Sequence, residues 1–105
     1  MSKAITIVGS GLAGMSSAAY LAKQGHRVRI LEKNSTYGGR LQSFTEKGFT
    51  FDSGPSWYWM PDLFDSFFSD FDKKTSDYYS LKRLDPGYRI FFNKDEHFDV
   101  VEDYE

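Results

Sequence analysis

The chain has 105 residues, which is enough for one domain or for the first part of a larger one. Lys and Arg number 13 and Asp and Glu 15, so the net charge of −2 gives no basic surface for nucleic acid. The absence of cysteine excludes disulfide scaffolds, thiolate nucleophiles and cysteine-ligated metal sites. Two histidines are too few for a histidine-rich metal site, so we expect no bound metal and a cytoplasmic location.

The two halves of the chain differ in charge and in aromatic content. Residues 1–60 carry seven basic and three acidic side chains, whereas residues 61–105 carry six and twelve. Eighteen of the 19 aromatic residues follow Lys33. We therefore expect the two halves to have different tasks.

The first thirty residues alternate between patterns typical of strands and of a helix. Residues 4–8 form a β-branched apolar run that predicts a buried strand. From Leu12 to Gln24, small and apolar residues recur at helical spacing, and residues 28–31 predict a second strand ending at Glu32. Residues 4–22 are uncharged, but the three glycines among them favour a strand and a helix over a membrane span. Together these elements predict a βαβ unit with parallel strands.

Beyond residue 40 the pattern predicts antiparallel strands and one short helix. Residues 41–45 and 49–51 flank a hairpin turn, and residues 88–92 and 97–101 predict two further strands. Pro61 stands where a helix N1 residue would, followed by an apolar stripe at helical spacing: Leu63, Phe64, Phe67, Phe68 and Phe71. The acidic last eleven residues predict a solvated end. The predicted fold class is α/β, a Rossmann-like βαβ unit with an appended antiparallel hairpin region.

Three glycines follow the first strand with the spacing Gly9-x-Gly11-x-x-Gly14. In a dinucleotide-binding βαβ unit the first glycine permits a tight turn and the second lets the backbone approach a diphosphate. The third lets the helix pack on the strand. The free N–H groups and positive dipole end of the helix then face the diphosphate, and they belong to Leu12, Ala13 and Gly14. The pattern therefore predicts a dinucleotide site.

Two further signals lie at and beyond the end of the second strand. Glu32 is placed to accept hydrogen bonds from ribose hydroxyls, and its charge disfavours the 2′-phosphate of NADP. Lys33 follows it and is included among the predicted binding residues. The second glycine turn, Gly38-Gly39-Arg40, is one that a simple NAD-binding unit does not need. Its arginine would supply fixed positive charge to a diphosphate.

This series of motifs resembles the amino terminus of FAD-containing oxidoreductases of the amine oxidase and phytoene desaturase superfamily. Residues 48–56, GFTFDSGPS, are similar to the stretch that follows Gly-Gly-Arg in bacterial-type carotenoid desaturases. The resemblance implies FAD as the cofactor and dehydrogenation of a hydrophobic polyene precursor such as phytoene. It also implies that Gly54, Pro55 and Ser56 approach the flavin. The predicted cofactor-binding residues are Gly9, Gly11, Leu12, Ala13, Gly14, Glu32, Lys33, Gly38, Gly39, Arg40, Gly54, Pro55 and Ser56.

No residue of the chain is a convincing catalytic acid or base, so the catalytic residues stay unassigned. We interpret Asp52 as a carboxylate that bonds backbone N–H groups at a turn, rather than as a catalytic group. A flavin enzyme does not need a catalytic acid or base in this part of its chain, because its hydride chemistry belongs to the cofactor. For the aromatic side chains of residues 57–59 and of the Phe stripe, packing between sub-domains is favoured over contact with an isoprenoid substrate or a membrane.

The motifs divide the chain into residues 1–56, a dinucleotide-binding unit, and residues 57–105, the incomplete start of an aromatic-rich substrate-side segment. Because the resemblance implies a chain several times longer, we expect the 105 residues alone to be inactive. We also expect them to associate with the remaining part or with themselves. The resemblance also leaves room for peripheral membrane contact by the full-length protein. The motifs leave open a carotenoid isomerase, a polyene saturase, an amine oxidase, or a non-catalytic nucleotide-binding or interaction module.

Overall fold

A computed structural model describes residues 1–55 and 57–101, and the chain divides between Trp59 and Met60 into two compact units. The first unit contains four strands, one helix and a 3₁₀ turn: β1 Ala4–Val8, α1 Leu12–Lys23, β2 Arg27–Leu31, the turn Gly39–Leu41, β3 Ser43–Glu46 and β4 Phe49–Asp52. The second contains one helix, a 3₁₀ turn and two strands: α2 Pro61–Ser69, the turn Thr75–Asp77, β5 Tyr88–Phe91 and β6 His97–Val100.

The strands β1 and β2 form a two-stranded parallel sheet, in register from Ala4 opposite Arg27 to Val8 opposite Leu31. The helix α1 connects them and contacts both strands. It ends where the sequence predicts, because Gly25 follows the C-cap residue Gln24. The predicted βαβ unit and the α/β fold class are therefore confirmed.

The strands β3 and β4 form an antiparallel hairpin whose turn consists of Lys47 and Gly48. Both turn residues have positive φ, 50° and 85°, which is typical of the two-residue turns that match the twist of paired strands. The rings of Phe44 and Phe51 stand directly opposite each other and stack at 5.3 Å between centroids. The strand β3 starts at Ser43 and not at residue 41 as predicted, because residues 39–41 form the 3₁₀ turn.

In the second unit, α2 starts at Pro61, as the sequence predicts, and its aromatic stripe packs on the unit's own rings. Phe68 lies 5.0 Å from Tyr78, and Phe67 lies 5.1 Å from Phe71, measured between ring centroids. The hydroxyl of Thr75 donates to Asp65, which joins the 3₁₀ turn to the helix. The antiparallel pair β5–β6 carries an ion pair between Arg89 and Asp99, whose Nη2–Oδ2 distance is 2.8 Å.

Apolar side chains are exposed in both units. Among residues 1–55 and 57–101, no hydrophobic side chain is buried, and Ser10, at 5% exposure, is the single residue classed as buried. The prediction that residues 4–8 form a buried strand is wrong as to burial, since Val8 of β1 is 85% exposed. The physical reason is that α1 covers one face of a sheet of only two strands.

The uncharged run of residues 4–22 is divided between β1, the glycine loop and α1. Within the described part of the chain, no helix has the length and apolar character needed to cross a membrane.

Candidate dinucleotide-binding site

The first and last glycines of the loop between β1 and α1, Gly9 and Gly14, are required for two different structural reasons. Gly9 has φ of 98°, a left-handed conformation that favours glycine, and its N–H donates to the Leu31 carbonyl at 2.7 Å. At Gly14 the reason is packing, because an added Cβ would lie 2.1 Å from the carbonyl oxygen of Gly9. The helix can approach the strand this closely only without a side chain at position 14.

Neither reason applies to Gly11, the N-cap of α1. Its φ of −70° and ψ of 174° suit any residue, and an added Cβ would meet only the Cα of Gly39, at 4.0 Å. The position therefore forms a cradle that a Cβ would fill without disturbing the protein. No side chain caps the helix here and its first turn holds no acidic residue, so the N–H groups of Leu12, Ala13 and Gly14 suit an anion. This backbone fits a dinucleotide diphosphate.

Glu32 holds the glycine loop through both oxygens of its carboxylate. Oε2 accepts from the backbone N–H of Ser10 at 2.7 Å and from the Ser10 hydroxyl at 2.8 Å. Oε1 accepts from the backbone N–H of Asn34 at 3.0 Å. These hydrogen bonds, with the Ser10 N–H contributing most, lower the pKa of Glu32 to about 2. The carboxylate is therefore charged and fixed at the end of β2.

The second glycine turn lies directly on the first loop. Gly38 has φ of 106°, forms a parallel bridge with Gly11, and donates its N–H to the Ser10 carbonyl at 2.9 Å. An added Cβ on Gly39 would lie 3.1 Å from the Cα of Gly11. A cleft of about 370 Å³ opens beside this contact, lined by Met15, Thr36, Tyr37, Gly38, Leu41, Gln42 and Ser43. The structure thus brings residues 9–14, 32 and 38–39 together.

The other predicted binding residues lie around this centre. Arg40 is exposed, and its carbonyl lies so close to Gly54 that an added Cβ there would stand 2.0 Å from the oxygen. The glycine is therefore required where the strand pair β3–β4 meets the second glycine turn. Lys33, after β2, and Pro55 are exposed. The prediction for Ser56 lies outside the described residues.

Two residues of the site, Ser10 and Asn34, could not be identified from the glycine motif. Ser10 stands at an unspecified position of the motif, and Asn34 contributes its backbone N–H, which any residue but proline has. For Ser10, the presence of a hydroxyl next to the strand end was the available clue. Asp52 ends β4 opposite Ser43, and its carboxylate makes none of the expected turn hydrogen bonds within residues 1–55 and 57–101.

Relatives among known proteins match the chain over almost its whole length. A carotenoid 3,4-desaturase from Haloarcula japonica is 52% identical over 99 residues, which cover 94% of this chain and 20% of that protein. A 4,4′-diapolycopene oxygenase from a Methylomonas species is 40% identical, over 96% of this chain and 20% of that protein. A 4,4′-diapophytoene desaturase from Staphylococcus aureus is 39% identical, over 94% and 20%. The expected resemblance to carotenoid desaturases is confirmed.

The chain thus spans a fifth, 20%, of the length of each of these relatives. The family described as NAD(P)-binding Rossmann-like domain matches residues 7–73. This match includes the glycine loop, Glu32 and the second glycine turn, the segments that the structure brings together. The chain therefore belongs to the NAD(P)-binding Rossmann-like domain family.

Proposed function

We propose that residues 9–40 bind the ADP part of FAD, and that the protein is an FAD-dependent oxidoreductase that desaturates a carotenoid precursor such as phytoene. The observation that carries this proposal is the seating of the second glycine turn on the first. Gly38 is bridged to Gly11 and bonded to Ser10, so two side-chain-free backbone segments meet beside the helix N-terminus. A diphosphate held there would meet N–H donors from α1 and the charge of Arg40.

The carboxylate of Glu32 supports a dinucleotide without a 2′-phosphate. It is ionised, with a pKa of about 2, and lies at the end of β2, where the ribose of a bound dinucleotide is held in this fold. A phosphate on that ribose would meet a like charge. FAD and NAD carry a free 2′-hydroxyl on the adenosine ribose that can donate to the carboxylate, whereas in NADP this hydroxyl is phosphorylated.

The names of the relatives support the reaction class. Two of the three are desaturases of carotenoid-type substrates, which lose hydrogen from adjacent carbons as a double bond forms. Bound FAD would supply the acceptor for that hydrogen. The residues of this chain have a different part in the reaction, since they bind the adenosine end and fix where the cofactor lies. The hydrophobic polyene substrate would be held elsewhere in the complete protein.

Equilibrium dialysis of the complete protein against FAD and against NADP tests the cofactor assignment. We expect FAD to be retained and NADP to bind more weakly. Glu32→Ala should weaken FAD binding roughly 10- to 100-fold, the range for losing a charged hydrogen-bond partner. The matched control is Glu46→Ala, which removes an exposed carboxylate at the end of β3 and should leave binding unchanged.

A colourless preparation that takes up no FAD would contradict the cofactor assignment and favour a non-catalytic module. The reaction class needs the complete protein, supplied with FAD and phytoene. We expect a product with a longer conjugated system, seen as an absorbance shifted to longer wavelength. An isomer of unchanged hydrogen content would instead indicate a carotenoid isomerase, and a product with added hydrogen a polyene saturase.

A further inference from the structure

The parallel sheet β1–β2 has one face that α1 covers and one face that α1 leaves open. Side chains alternate between the two faces along each strand. The half-buried Ile5, Ile7 and Val28 lie on the helix side. The remaining positions alternate with them, are all exposed and form the open face: Ala4, Thr6, Val8, Arg27, Arg29 and Leu31.

The open face is basic at one end and apolar at the other. Arg27 and Arg29 lie toward the amino end of β2, whereas Val8 and Leu31 stand opposite each other at the carboxyl end, 85% and 47% exposed. Within residues 1–55 and 57–101, no carboxylate bonds to either guanidinium group. The face therefore has two positive charges without a partner beside an uncovered apolar pair.

These two ends define the chemistry of whatever covers the face. A parallel sheet is stable when both of its faces are covered. A cover would remove the guanidinium groups of Arg27 and Arg29 from water, which is costly unless carboxylates pair with them. At the other end, Val8 and Leu31 need apolar side chains against them. The covering segment must therefore be amphipathic, with its acidic side chains opposite positions 27 and 29.

The face cannot supply this cover to itself in a second copy of the chain. None of its six side chains is acidic, so two copies joined through this face would set arginine against arginine or arginine against the apolar pair. A transient partner would return Val8 and Leu31 to water each time it dissociated. The relatives extend far beyond the matched part, which is 20% of each. A segment of the same polypeptide is the source that fits a permanent cover.

We propose that the open face of β1–β2 docks an acidic, amphipathic segment of the complete protein that lies outside residues 1–105, and that its carboxylates pair with Arg27 and Arg29. The proposal concerns the face opposite α1 and does not depend on which cofactor the glycine loop binds.

Cross-linking of the Arg29→Lys variant of the complete protein tests this contact. The substitution keeps the charge and introduces an amine, which a carbodiimide joins to any carboxylate in contact with it. Peptide mass spectrometry should find position 29 joined to an Asp or Glu outside residues 1–105. The unmodified protein is the control, because the reagent does not couple arginine. The natural Lys47, exposed in the turn between β3 and β4, should form no link to the same segment.

Charge reversal in the complete protein is a second measurement. Arg29→Glu should lower the melting temperature by several degrees more than Arg29→Met, because it sets like charges against each other. The matched control, Lys47→Glu, reverses an exposed charge and should have little effect. Equal melting temperatures for Arg29→Glu and Arg29→Met would overturn the ion pairing.

The cross-linking result can overturn the proposal in two further ways. If the amine at position 29 forms no link and reacts freely with a water-soluble acylating reagent, the face lies in solvent and docks nothing. A link to a second molecule, or to a carboxylate within residues 1–105, would show that the acidic segment is not the one proposed. FAD binding by the complete protein has no part in either outcome, so failure of this inference leaves the proposed function standing.

Discussion

At the scale of single residues, adding a methyl group has different consequences at two glycines of the first loop, Gly11 and Gly14. A methyl group added at Gly14 would stand 2.1 Å from the Gly9 carbonyl oxygen, whereas one added at Gly11 would meet only a Cα at 4.0 Å. The first is a clash inside the protein and the second is not. Position 14 therefore matters for stability and position 11 for what approaches the loop.

We predict that Gly14→Ala lowers stability, whereas Gly11→Ala lowers FAD affinity. Gly14→Ala should destabilise the chain by roughly 1–3 kcal/mol, the usual effect of overpacking, because α1 must move away from β1. Gly11→Ala should keep the far-ultraviolet circular dichroism and lose FAD affinity by about tenfold or more, since the methyl would occupy the space of the diphosphate. Urea titration and FAD dialysis of the complete protein measure the two effects. A Gly11→Ala chain that binds FAD normally would show that the motif serves only as a turn.

The lowered pKa of Glu32 predicts how the stability of the protein depends on pH. Hydrogen bonds from the Ser10 N–H, the Asn34 N–H and the Ser10 hydroxyl lower its pKa from 4.5 to about 2 in the folded chain. The stability they contribute is fully present above about pH 4.5 and is lost as the pH falls toward 2. The glutamine of Glu32→Gln does not titrate, so in the complete protein the difference in melting temperature between this variant and the unmodified protein should shrink over this range.

Comparison with Glu32→Gln is needed because Asp99 also titrates at acid pH. The Arg89 guanidinium, which hydrogen-bonds it, lowers the pKa of Asp99, and that pair is present in both chains. A difference in melting temperature that stays constant from pH 5 to pH 2 would mean that Glu32 is not held by these hydrogen bonds.

At the scale of elements, the hairpin β3–β4 supports the second glycine turn. The Ser53 N–H donates to the Gln42 carbonyl at 2.7 Å, and the Cα of Gly54 lies against the Arg40 carbonyl. The 3₁₀ turn Gly39–Leu41 is therefore held between the glycine loop on one side and the end of β4 on the other. We infer that the role of Gly54 is to let these two elements approach.

We predict that Gly54→Ala displaces the second glycine turn. Its Cβ would stand 2.0 Å from the Arg40 oxygen, so the turn or the hairpin must move, at an expected cost of roughly 1–3 kcal/mol. FAD affinity should fall along with stability, although the substitution adds no group to the loop at residues 9–14. Gly48→Ala is a control for glycine loss, because nothing lies within 4 Å of an added Cβ there. It should destabilise the hairpin turn without changing FAD affinity.

At the scale of the whole molecule, exposed apolar surface is the dominant feature. Within residues 1–55 and 57–101 no hydrophobic side chain is buried, and large ones such as Val8, Trp57, Trp59 and Phe91 are exposed. A parallel sheet is stable when both of its faces are covered, and in the described chain α1 covers one. Such surface favours association with another chain or another part of the protein.

We predict that the 105-residue chain self-associates or is loosely folded, and that it lacks desaturase activity. Sedimentation velocity should show species larger than the 12.1 kDa monomer, and thermal melting should be broad. Association should weaken in mild denaturant, since it depends on apolar contact. A monomer with a sharp cooperative melt would contradict the prediction and strengthen the alternative of a small interaction module.

Local patterns account for the elements that the sequence predicts correctly. β1 and α1 follow from a β-branched run and from helical spacing, and the hairpin turn at Lys47 and Gly48 follows from a glycine between two strand patterns. Each of these signals lies within a few residues of the structure that it predicts. The exposure of Val8 was not predictable in this way, because burial depends on how many elements cover the strand.

The sequence by itself determined that residues 9–14 form a glycine turn between a strand and a helix, and that Glu32 lies at the end of the next strand, directly after Leu31. Only the tertiary structure decided how these parts meet. Ser10 bonds a carboxylate 22 positions away, and the bridge from Gly11 reaches Gly38. Contacts between residues so distant in the chain are set by the parallel pairing of β1 and β2 and by the path back to the loop. No repeat or spacing encodes them, so the role of Ser10 became visible only in the fold.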